Sequence, residues 1–370
     1  MTRTLRALCA AALCLLCTLA STGAQASEPK TLSVYNWSEY IAEDTIRNFE
    51  KETGIKVRYD TFDQEEVLQA RLLMGNSGYD VVVIGTEYGK GLIESGIFQK
   101  LDRSKLSNWP NLDASVLEKM AKVDPGNQHL VDWLWGFSTV GVNTTRLKAA
   151  LGDLKWPENP WQLLFDPQYA SRAKSCGISV VDTPTVIIPQ ALMYLGKSPY
   201  STNTGDYAEV APMLRAVRPF ISSFSGSGYI DRLASGNLCL VVGYSGDINM
   251  ARSRALQAKR NEPIEALIPP HGATLFFDSM AIPRDAKEVD AAHQFINYIL
   301  RPQVHASLSN KLYYANPNTA ALRYVNPDIA NNKTVFPDTQ TLRNMVTPEG
   351  LHQTVRKIQV RTFSMFKSGL

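Results

Sequence analysis

Residues 31–35 (TLSVY), 55–62 (IKVRYDTF) and 79–84 (YDVVVI) are three strand-like stretches near the start of the chain. The last is a nearly continuous β-branched run, which is typical of a strand covered on both faces. Residues 42–54 (AEDTIRNFEKETG) and 65–74 lie between them and have helical patterns, each closed by a glycine. This alternation of strands and helices predicts right-handed βαβ units on a parallel sheet.

The same alternation returns in the rest of the chain. A helix is predicted over 285–300, with Pro302 beyond its end. No repeat of solenoid period and no low-complexity linker separates the parts. Two domains without a flexible joint suggest lobes connected by crossing strands, which permits hinge closure around a ligand. The further predicted strands are 136–142 (GFSTVGV), 177–181 (GISVV), 238–243 (LCLVVG) and 275–282 (LFFDSMAI).

The first 26 residues have the pattern of a cleavable signal peptide. Arg3 and Arg6 form a basic start, residues 7–20 are apolar and uncharged, and residues 24–26 (AQA) supply the small residues of a cleavage site. A retained membrane anchor is the alternative, but the apolar run is shorter than the ~20 residues that a span needs. The sequence therefore predicts an exported protein.

The five cysteines fall into two groups. Cys9, Cys14 and Cys17 lie in the leader, each after a leucine, a context that does not suit lipoprotein processing. Cys176 and Cys239 remain, and in an oxidising compartment they would form one disulfide, with two buried thiols as the alternative. Neither has a histidine or acidic partner at a recognised catalytic spacing.

Length and charge narrow the class of protein. After cleavage, 344 residues would carry 36 basic and 35 acidic side chains, so the chain has no nucleic-acid footprint. Any attraction for a cation must then be local. Two domains of roughly 150 residues or slightly more are expected. No metal-ligand spacing links the histidines, which are His129, His271, His293, His305 and His352.

Aromatic and acidic side chains follow most of the predicted strands. Ligands of open α/β sheets bind at the carboxyl ends of strands, so these residues are candidates for a site. Lysine and arginine are absent from these loops apart from Lys90. The combination favours a cationic ligand, because an ammonium gains about 0.5–2 kcal/mol over an aromatic face. The candidates in chain order are Trp37, Ser38, Glu39, Tyr40, Gly85, Thr86, Glu87, Tyr88, Asp182, Tyr244, Asp247, Phe276, Phe277, Asp278, Tyr313 and Tyr314.

Structural roles compete with binding for several of these residues. Trp37 and Tyr314 are equally well explained as core or rim aromatics. Asp247 is equally well explained as a helix N-cap. Asp278 lies inside an apolar strand, where an unpaired charge is costly, so a functional or paired role is favoured. Closing a cleft over Asp247 and Asp278 should become favourable only when a cation arrives.

Nine segments along the chain carry a family resemblance. Together they extend over essentially the whole chain after the leader. The pattern resembles the periplasmic putrescine/spermidine-binding proteins of bacterial ABC transporters. The segments are 32–41 (LSVYNWSEYI), 49–57 (FEKETGIKV), 78–83 (GYDVVV), 96–102 (GIFQKLD), 175–177 (SCG), 243–247 (GYSGD), 276–278 (FFD), 295–302 (FINYILRP) and 313–316 (YYAN).

The resemblance implies an α/β, bilobal solute-binding fold of type II that closes on a linear polyamine without catalysis. It implies that Trp37, Tyr40 and Tyr314 form an aromatic box around the methylene chain. Phe276 would add an apolar wall. It further implies that one ammonium is held by Ser38, Asp247 and Asp278, and that Cys176 and Cys239 form a disulfide.

The lobes expected from this fold divide the chain unevenly. Residues 27–137 would form the first part of lobe 1, 138–272 lobe 2, and 273–312 the return to lobe 1. Residues 313–370 would form a C-terminal segment that packs mainly on lobe 2.

Five positions depart from the family pattern. Gly85 stands where the pattern has a serine, Gly226 where it has another small hydroxyl, Tyr244 where it has tryptophan, and Glu39 where it has aspartate. Thr185 occupies a position that usually carries a carboxylate near the distal amine. A second ammonium would then rely on three remaining acids or on water. These acids are Asp182, Glu39 and Glu87.

The expected function is therefore capture of a putrescine-like di- or polyamine in the periplasm for an ABC permease of the inner membrane, by a monomer without cofactor or metal. A mono-cation or an ω-amino acid is the alternative within the same fold. Ferric iron is another, because Tyr313 and Tyr314 form an adjacent pair of oxygen ligands. An enzyme of this fold is the least favoured class, because no nucleophile or acid–base pair is evident.

Overall fold

The computed structural model describes residues 30–349 and 353–370. From Thr31 onward the chain forms one compact unit that mixes strands and helices. The α/β class predicted from the sequence is confirmed. The predicted signal peptide and its three cysteines lie outside the described residues.

The strands belong to one hydrogen-bonded series. Their order is β2-β1-β3-β9-β4-β7-β5-β6, and β8 pairs with β4 beside this path. Among the described residues they are β1 Thr31–Trp37, β2 Lys56–Phe62, β3 Val81–Gly85, β4 Val131–Asn143, β5 Ile178–Val181, β6 Ser223–Ser225, β7 Leu240–Tyr244, β8 Ile264–Leu267 and β9 Leu275–Ala281.

Helices connect the strands and cover the sheet. None of those in the described ranges combines the length and apolarity that a membrane crossing needs. In chain order they are α1 Thr45–Thr53, α2 Glu65–Met74, α3 Thr86–Glu94, α4 Ala114–Met120, α5 Thr144–Leu151, α6 Gln162–Phe165, α7 Pro167–Ala173, α8 Pro184–Tyr194, α9 Thr204–Val217, α10 Tyr229–Ala234, α11 Ser245–Gln257, α12 Val289–Ile299, α13 Pro302–Leu312, α14 Pro327–Ala330, α15 Thr339–Asn344 and α16 Gln353–Ser368.

The first three strands form the parallel βαβ arrangement that their sequence predicts. β1 pairs in parallel with both β2 and β3. Every residue of β3 is buried, as its β-branched run indicates. β9 enters between β3 and β4 and runs antiparallel to both.

β4 connects two parts of the sheet. Its first half, Val131–Phe137, pairs with β9, whereas Ser138–Asn143 pairs with β7 and β8. The strand begins five residues before the predicted Gly136, so the prediction missed the half that carries a buried acid, Asp132, in an otherwise apolar pattern. A strand that passes from one part to the other is what hinge-linked lobes require. The lobe boundaries themselves stay a prediction.

Helix ends follow local chemistry. Gly54 takes a left-handed conformation (φ 71°) and its N–H bonds to the Glu50 carbonyl, which ends α1 where the sequence predicts. α12 begins at Val289, later than the predicted residue 285. Asp285 is instead held in the preceding loop, where its carboxylate accepts hydrogen bonds from the N–H and hydroxyl of Ser77.

A disulfide joins Cys176 to Cys239, with Cα atoms 5.4 Å apart. The pairing of the two cysteines outside the leader is confirmed. It fixes the segment before β5 to the segment before β7, two strands that are hydrogen-bonded neighbours. In the chain-entropy view, closing a 63-residue separation stabilises the fold by limiting the unfolded chain.

The C-terminal helix α16 packs against α8 and α9. Its Phe363 and Phe366 make edge-on contacts with Phe224 of β6, with ring centroids 6.0 and 5.3 Å apart. This packing places the polar face of α16, including Arg356 and Gln359, along the cavity described below.

Candidate functional site

A cavity of about 500 Å³ gathers the predicted site residues. It lies beyond the carboxyl ends of β1, β3 and β7, where an open α/β sheet binds its ligands. Thr86, Phe277 and Tyr313 do not line it, whereas the other candidates from the sequence do. The lining candidates are Trp37, Ser38, Glu39, Tyr40, Gly85, Glu87, Tyr88, Asp182, Thr185, Tyr244, Asp247, Phe276, Asp278 and Tyr314.

Aromatic rings form a connected wall along the cavity. Tyr40 contacts Tyr314 edge-on at 5.5 Å between centroids, and Tyr314 contacts Phe276 at 5.7 Å. Phe276 in turn meets Tyr244 at 5.1 Å. The rings therefore form one continuous apolar wall that also carries tyrosine hydroxyls.

Asp247 occupies the first turn of α11. Tyr229 and Tyr314 each donate a hydroxyl hydrogen bond to its carboxylate at 2.5 Å. Tyr244, not Asp247, is the N-cap residue of this helix, so the capping role considered for Asp247 is wrong. Burial raises the pKa of Asp247 to about 6, although the two tyrosine hydroxyls and Arg254 act in the opposite direction.

Asp278 lies at the middle of the sheet, opposite Gly85 of β3 and Leu134 of β4. Burial raises its pKa to about 7, and the nearby carboxylates of Glu87 and Asp247 raise it further. The Tyr40 hydroxyl and the Trp37 indole N–H act to lower this pKa.

These two donors are buried beside Asp278 without any hydrogen-bond partner in normal geometry. They are therefore close enough to influence the carboxylate electrostatically but do not satisfy it. Asp278 keeps some accessible surface, although protein atoms enclose it, because it faces the cavity.

Asp247 and Asp278 therefore line the same cavity. Asp247 raises the pKa of Asp278, which requires the two carboxylates to lie within electrostatic range of each other. A positive charge placed between them would favour the ionised form of both. Aromatic faces beside two desolvated carboxylates are suited to an organic cation.

Two of the acids expected to hold a second ammonium already have basic partners. Glu39 is exposed, has a left-handed backbone (φ 55°), and lies 3.2 Å from the guanidinium of Arg254. Asp182 pairs with Lys367 at 2.5 Å. The third, Glu87, has a buried carboxylate oxygen without a hydrogen-bond partner.

Tyr313 and Tyr314 point in different directions. The Tyr313 hydroxyl donates to Ser253 on α11 at 2.7 Å, whereas the Tyr314 hydroxyl donates to Asp247. The adjacent pair therefore does not converge on one point, as the ferric iron alternative requires. Within the described ranges, no group of three or more His, Cys, Asp or Glu side chains is arranged to hold a metal ion.

Comparison with protein families gives one model that matches residues 44–337, described as bacterial extracellular solute-binding protein. This range includes most of the sheet and most of the residues that line the cavity. The chain belongs to this family.

Named relatives of this solute-binding protein carry related descriptions. A putrescine-binding periplasmic protein of Pseudomonas aeruginosa is 41% identical over 346 residues, which is 94% of each chain. A putrescine-binding periplasmic protein of Escherichia coli is 41% identical over 350 residues, again 94% of each chain. The resemblance noted in the sequence is confirmed by these matches.

A solved structure supports the fold assignment of this solute-binding protein. It is described as a spermidine/putrescine ABC transporter of Listeria monocytogenes, is 30% identical, and covers 91% of this chain and 99% of its own, with a TM-score of 0.81. These relatives are named for binding and transport, not for catalysis.

Sequence reasoning missed the residues that follow β2. Asp63, Gln64, Glu65 and Glu66 all line the cavity. They follow β2 directly, so the rule that ligands meet the carboxyl ends of strands could have identified them. The sequence pattern indicates Glu65 only as the start of a helix.

A second buried acid that was not identified from the sequence, Asp132, lies near Asp278. Asp132 of β4 pairs with Ser279 of β9, is 1% exposed, and neither of its carboxylate oxygens has a hydrogen-bond partner. Burial first, and Asp278 second, raise its pKa well above the usual range. This acid is therefore held neutral, because an ionised carboxylate without a partner is too costly there.

Proposed function

We propose that this solute-binding protein captures a linear polyamine-class cation in the periplasm and delivers it to an ABC permease of the inner membrane. The observation that carries the proposal is the placement of Asp247 and Asp278 on one aromatic-walled cavity. The names of the relatives, which include putrescine and spermidine binding, support the same ligand class.

The cavity suits both parts of such a ligand. The wall of Tyr40, Tyr314 and Phe276 offers apolar faces to methylene groups. A charge-assisted hydrogen bond from an ammonium to Asp247 or Asp278 contributes about 1.5–3 kcal/mol. The ammonium would also supply the buried carboxylates with the opposite charge that they need, so binding and ionisation of the acids are coupled.

The proposal involves binding without a chemical step. The relatives are named as binding proteins, and the two cysteines outside the leader are joined in a disulfide, so neither is a free thiol nucleophile. The protein would act as a monomer without cofactor, exported by cleavage after residue 26.

Closure around the ligand would use the crossing strands. β4 changes pairing partners between Phe137 and Ser138, which is the proposed boundary of the two lobes. Asp278 lies on β9 in one part of the sheet, and Asp247 follows β7 in the other. A cation held by both acids would therefore join the two parts.

The proposal predicts that Asp278→Asn weakens binding of 1,4-diaminobutane at least tenfold at pH 7.5. Loss of one charge-assisted hydrogen bond, about 1.5–3 kcal/mol, corresponds to that factor or more. Isothermal titration calorimetry measures the affinity, and 1,4-butanediol serves as a neutral ligand of similar shape. Asp328→Asn is the matched control, because Asp328 is exposed and does not line the cavity.

Unchanged affinity in Asp278→Asn would remove this residue from the site. Equal binding of the diol would show that charge does not govern recognition. If no diamine or polyamine raises the melting temperature of the wild-type protein, the ligand class is wrong, because a ligand that binds only the native state must stabilise it.

A further inference from the structure

Two glutamates lie around Gly85 on the β3 side of the cavity, which is called the far end because it lies on the other side of Asp278 from Asp247 in the proposed binding mode. The Gly85 N–H donates to Oε2 of Glu65 at 3.5 Å. A Cβ added to Gly85 would lie only 3.1 Å from Oε2 of Glu87. Gly85 is also the residue opposite Asp278 in the sheet. Both glutamates therefore lie close to the strand position next to Asp278; they are called the distal acid pair below.

The distal acid pair is buried but not satisfied. Glu65 is 4% exposed, and its Oε1 has no hydrogen-bond partner. Oε2 of Glu87 is also buried without a partner. Gln359 of α16 lines the same cavity, is 1% exposed, and leaves both atoms of its amide group without partners. Buried polar atoms of this kind normally have a partner, so this region is suited to a polar ligand group.

The charge balance of the cavity favours a cation at this end. Among the described residues that line the cavity, nine are acidic and two, Arg356 and Lys367, are basic. Lys367 is paired with Asp182. Arg356 lies over the Tyr88 ring at 4.6 Å and donates to Gln69 at 3.4 Å. It acts on Glu87 through its charge, which lowers the pKa of that carboxyl.

We propose that Glu87, with Glu65 beside it, holds the second cationic group of a dicationic ligand, and so takes the role of the carboxylate that Thr185 lacks. This inference rests on the proposed function, since it assumes that a first ammonium is held by Asp247 and Asp278. Thr185 is itself engaged by the Tyr88 hydroxyl at 3.3 Å. Glu87 is then the residue that makes the site specific for two charges.

Gly85 contributes to the same subsite. The short distance between its added Cβ and Glu87 means that a larger residue would push the Glu87 carboxylate away from the strand. Two departures from the family pattern, glycine at 85 and threonine at 185, thus have one explanation. The carboxylate that the family pattern has at the Thr185 position is supplied here by Glu87, and the absence of a side chain at Gly85 leaves space for it.

The two glutamates differ in their protonation. Burial, followed by Glu87 and Asp278, raises the pKa of Glu65 well above the usual range, so Glu65 stays neutral. Burial raises the pKa of Glu87 to about 7, and Arg356 counteracts this. A neutral Glu65 avoids repulsion with its neighbour, and Glu87 is ready to ionise when a positive group arrives.

Calorimetry with three ligands separates this inference from the proposed function. The ligands are 1,4-diaminobutane, n-butylamine and 4-aminobutanoate, which share a four-carbon chain and differ at one end. Glu87→Gln should lose at least tenfold in affinity for the diamine and change less than twofold for the monoamine. Glu94→Gln is the matched control, because Glu94 is exposed at the other end of the same helix, α3.

Each outcome has one meaning. If the ratio of diamine to monoamine affinity is the same in wild type and Glu87→Gln, Glu87 is not the second subsite. If 4-aminobutanoate binds the wild type more tightly than the diamine does, Arg356 and not Glu87 governs the far end, and the inference is wrong. If none of the amines binds the wild type, the proposed function fails and not merely this extension of it.

Discussion

The two ends of the cavity differ in how their buried carboxylates are stabilised. At the near end, Asp247 accepts hydrogen bonds from two tyrosine hydroxyls. At the far end, Glu65 and Glu87 each keep a buried oxygen without a donor. Burial raises the pKa of the acids at both ends, and hydrogen bonds oppose this effect at both; the donors are two tyrosine hydroxyls at the near end and the backbone N–H groups of Gly85 and Glu87 at the far end.

This difference suggests a division of roles. A carboxylate that already has donors is closer to its ionised form, so Asp247 is prepared to attract the first ammonium. A carboxylate that keeps one buried oxygen without a donor gains more from the ligand and depends on it more strongly. The near end would then provide affinity for any amine, and the far end would select for a second charge.

Tyr314→Phe tests the near end and should have the largest effect of the three changes below. It keeps the ring in the aromatic wall and removes one donor to Asp247, which raises the pKa of Asp247 further. At pH 5, below the wild-type pKa of about 6, we expect roughly tenfold weaker binding of diamine and monoamine alike if the pKa rises by one unit, which corresponds to about 1.4 kcal/mol. Calorimetry at pH 5 and pH 9 measures it.

The pH 9 measurement is the control for Tyr314→Phe, because Asp247 ionises there with or without the hydroxyl and the affinity should largely recover. A loss that persists unchanged at pH 9 would mean that the hydroxyl contacts the ligand directly. A loss restricted to the diamine would contradict the division between the two ends.

The near end was largely predictable from the sequence, and the far end was not. Asp278 was identifiable because an acid inside LFFDSMAI has few structural explanations. Glu65 starts a helix, where a glutamate is ordinary, so its residue type carries no signal. Its burial comes from the contact with Gly85, twenty residues further along the chain.

The strands show the same limit. The β-branched run of β3 and the apolar runs of β7 and β9 located these strands to within a few residues. They missed the first half of β4, because Asp132 interrupts its apolar pattern and is tolerated there only as a buried acid that stays neutral. Local patterns therefore identify strands, but tertiary burial decides where a charged residue is acceptable.

Gly85→Ser tests the far end with a smaller change. The added Cβ would displace the Glu87 carboxylate, and the hydroxyl offers only partial compensation. We expect about fivefold weaker binding of 1,4-diaminobutane, since about 1 kcal/mol of a polar contact is lost, and unchanged binding of n-butylamine. The double variant Gly85→Ser/Glu87→Gln should be no weaker than Glu87→Gln alone; additive losses would show that the two residues act independently.

Proton linkage gives the smallest effect, measured on the ligand-free protein. The pKa of Glu87 is raised to about 7, so its neutral form stabilises the fold fully below the unfolded value of 4.5, and this stability is lost as the pH rises toward 7. Glu87→Gln imitates the neutral form. Wild type should therefore lose more free energy of unfolding than Glu87→Gln between pH 5 and pH 7, below the limit of about 1.4 kcal/mol per pH unit for one proton.

Urea titrations of both proteins at pH 5, 6 and 7 measure this difference, and contributions from groups elsewhere, such as the buried His305, cancel in the comparison. Several titratable or charged groups lie within electrostatic range of Glu87, and their substitution would shift the pH range over which it titrates. They are Glu65 on α2, Tyr88 on α3, Tyr200, Tyr244 on β7, Asp278 on β9 and Arg356 on α16. Parallel pH profiles for the two proteins would show that Glu87 has an ordinary pKa. Glu87 would then be ionised in the ligand-free protein, and its ionisation would not depend on a bound cation.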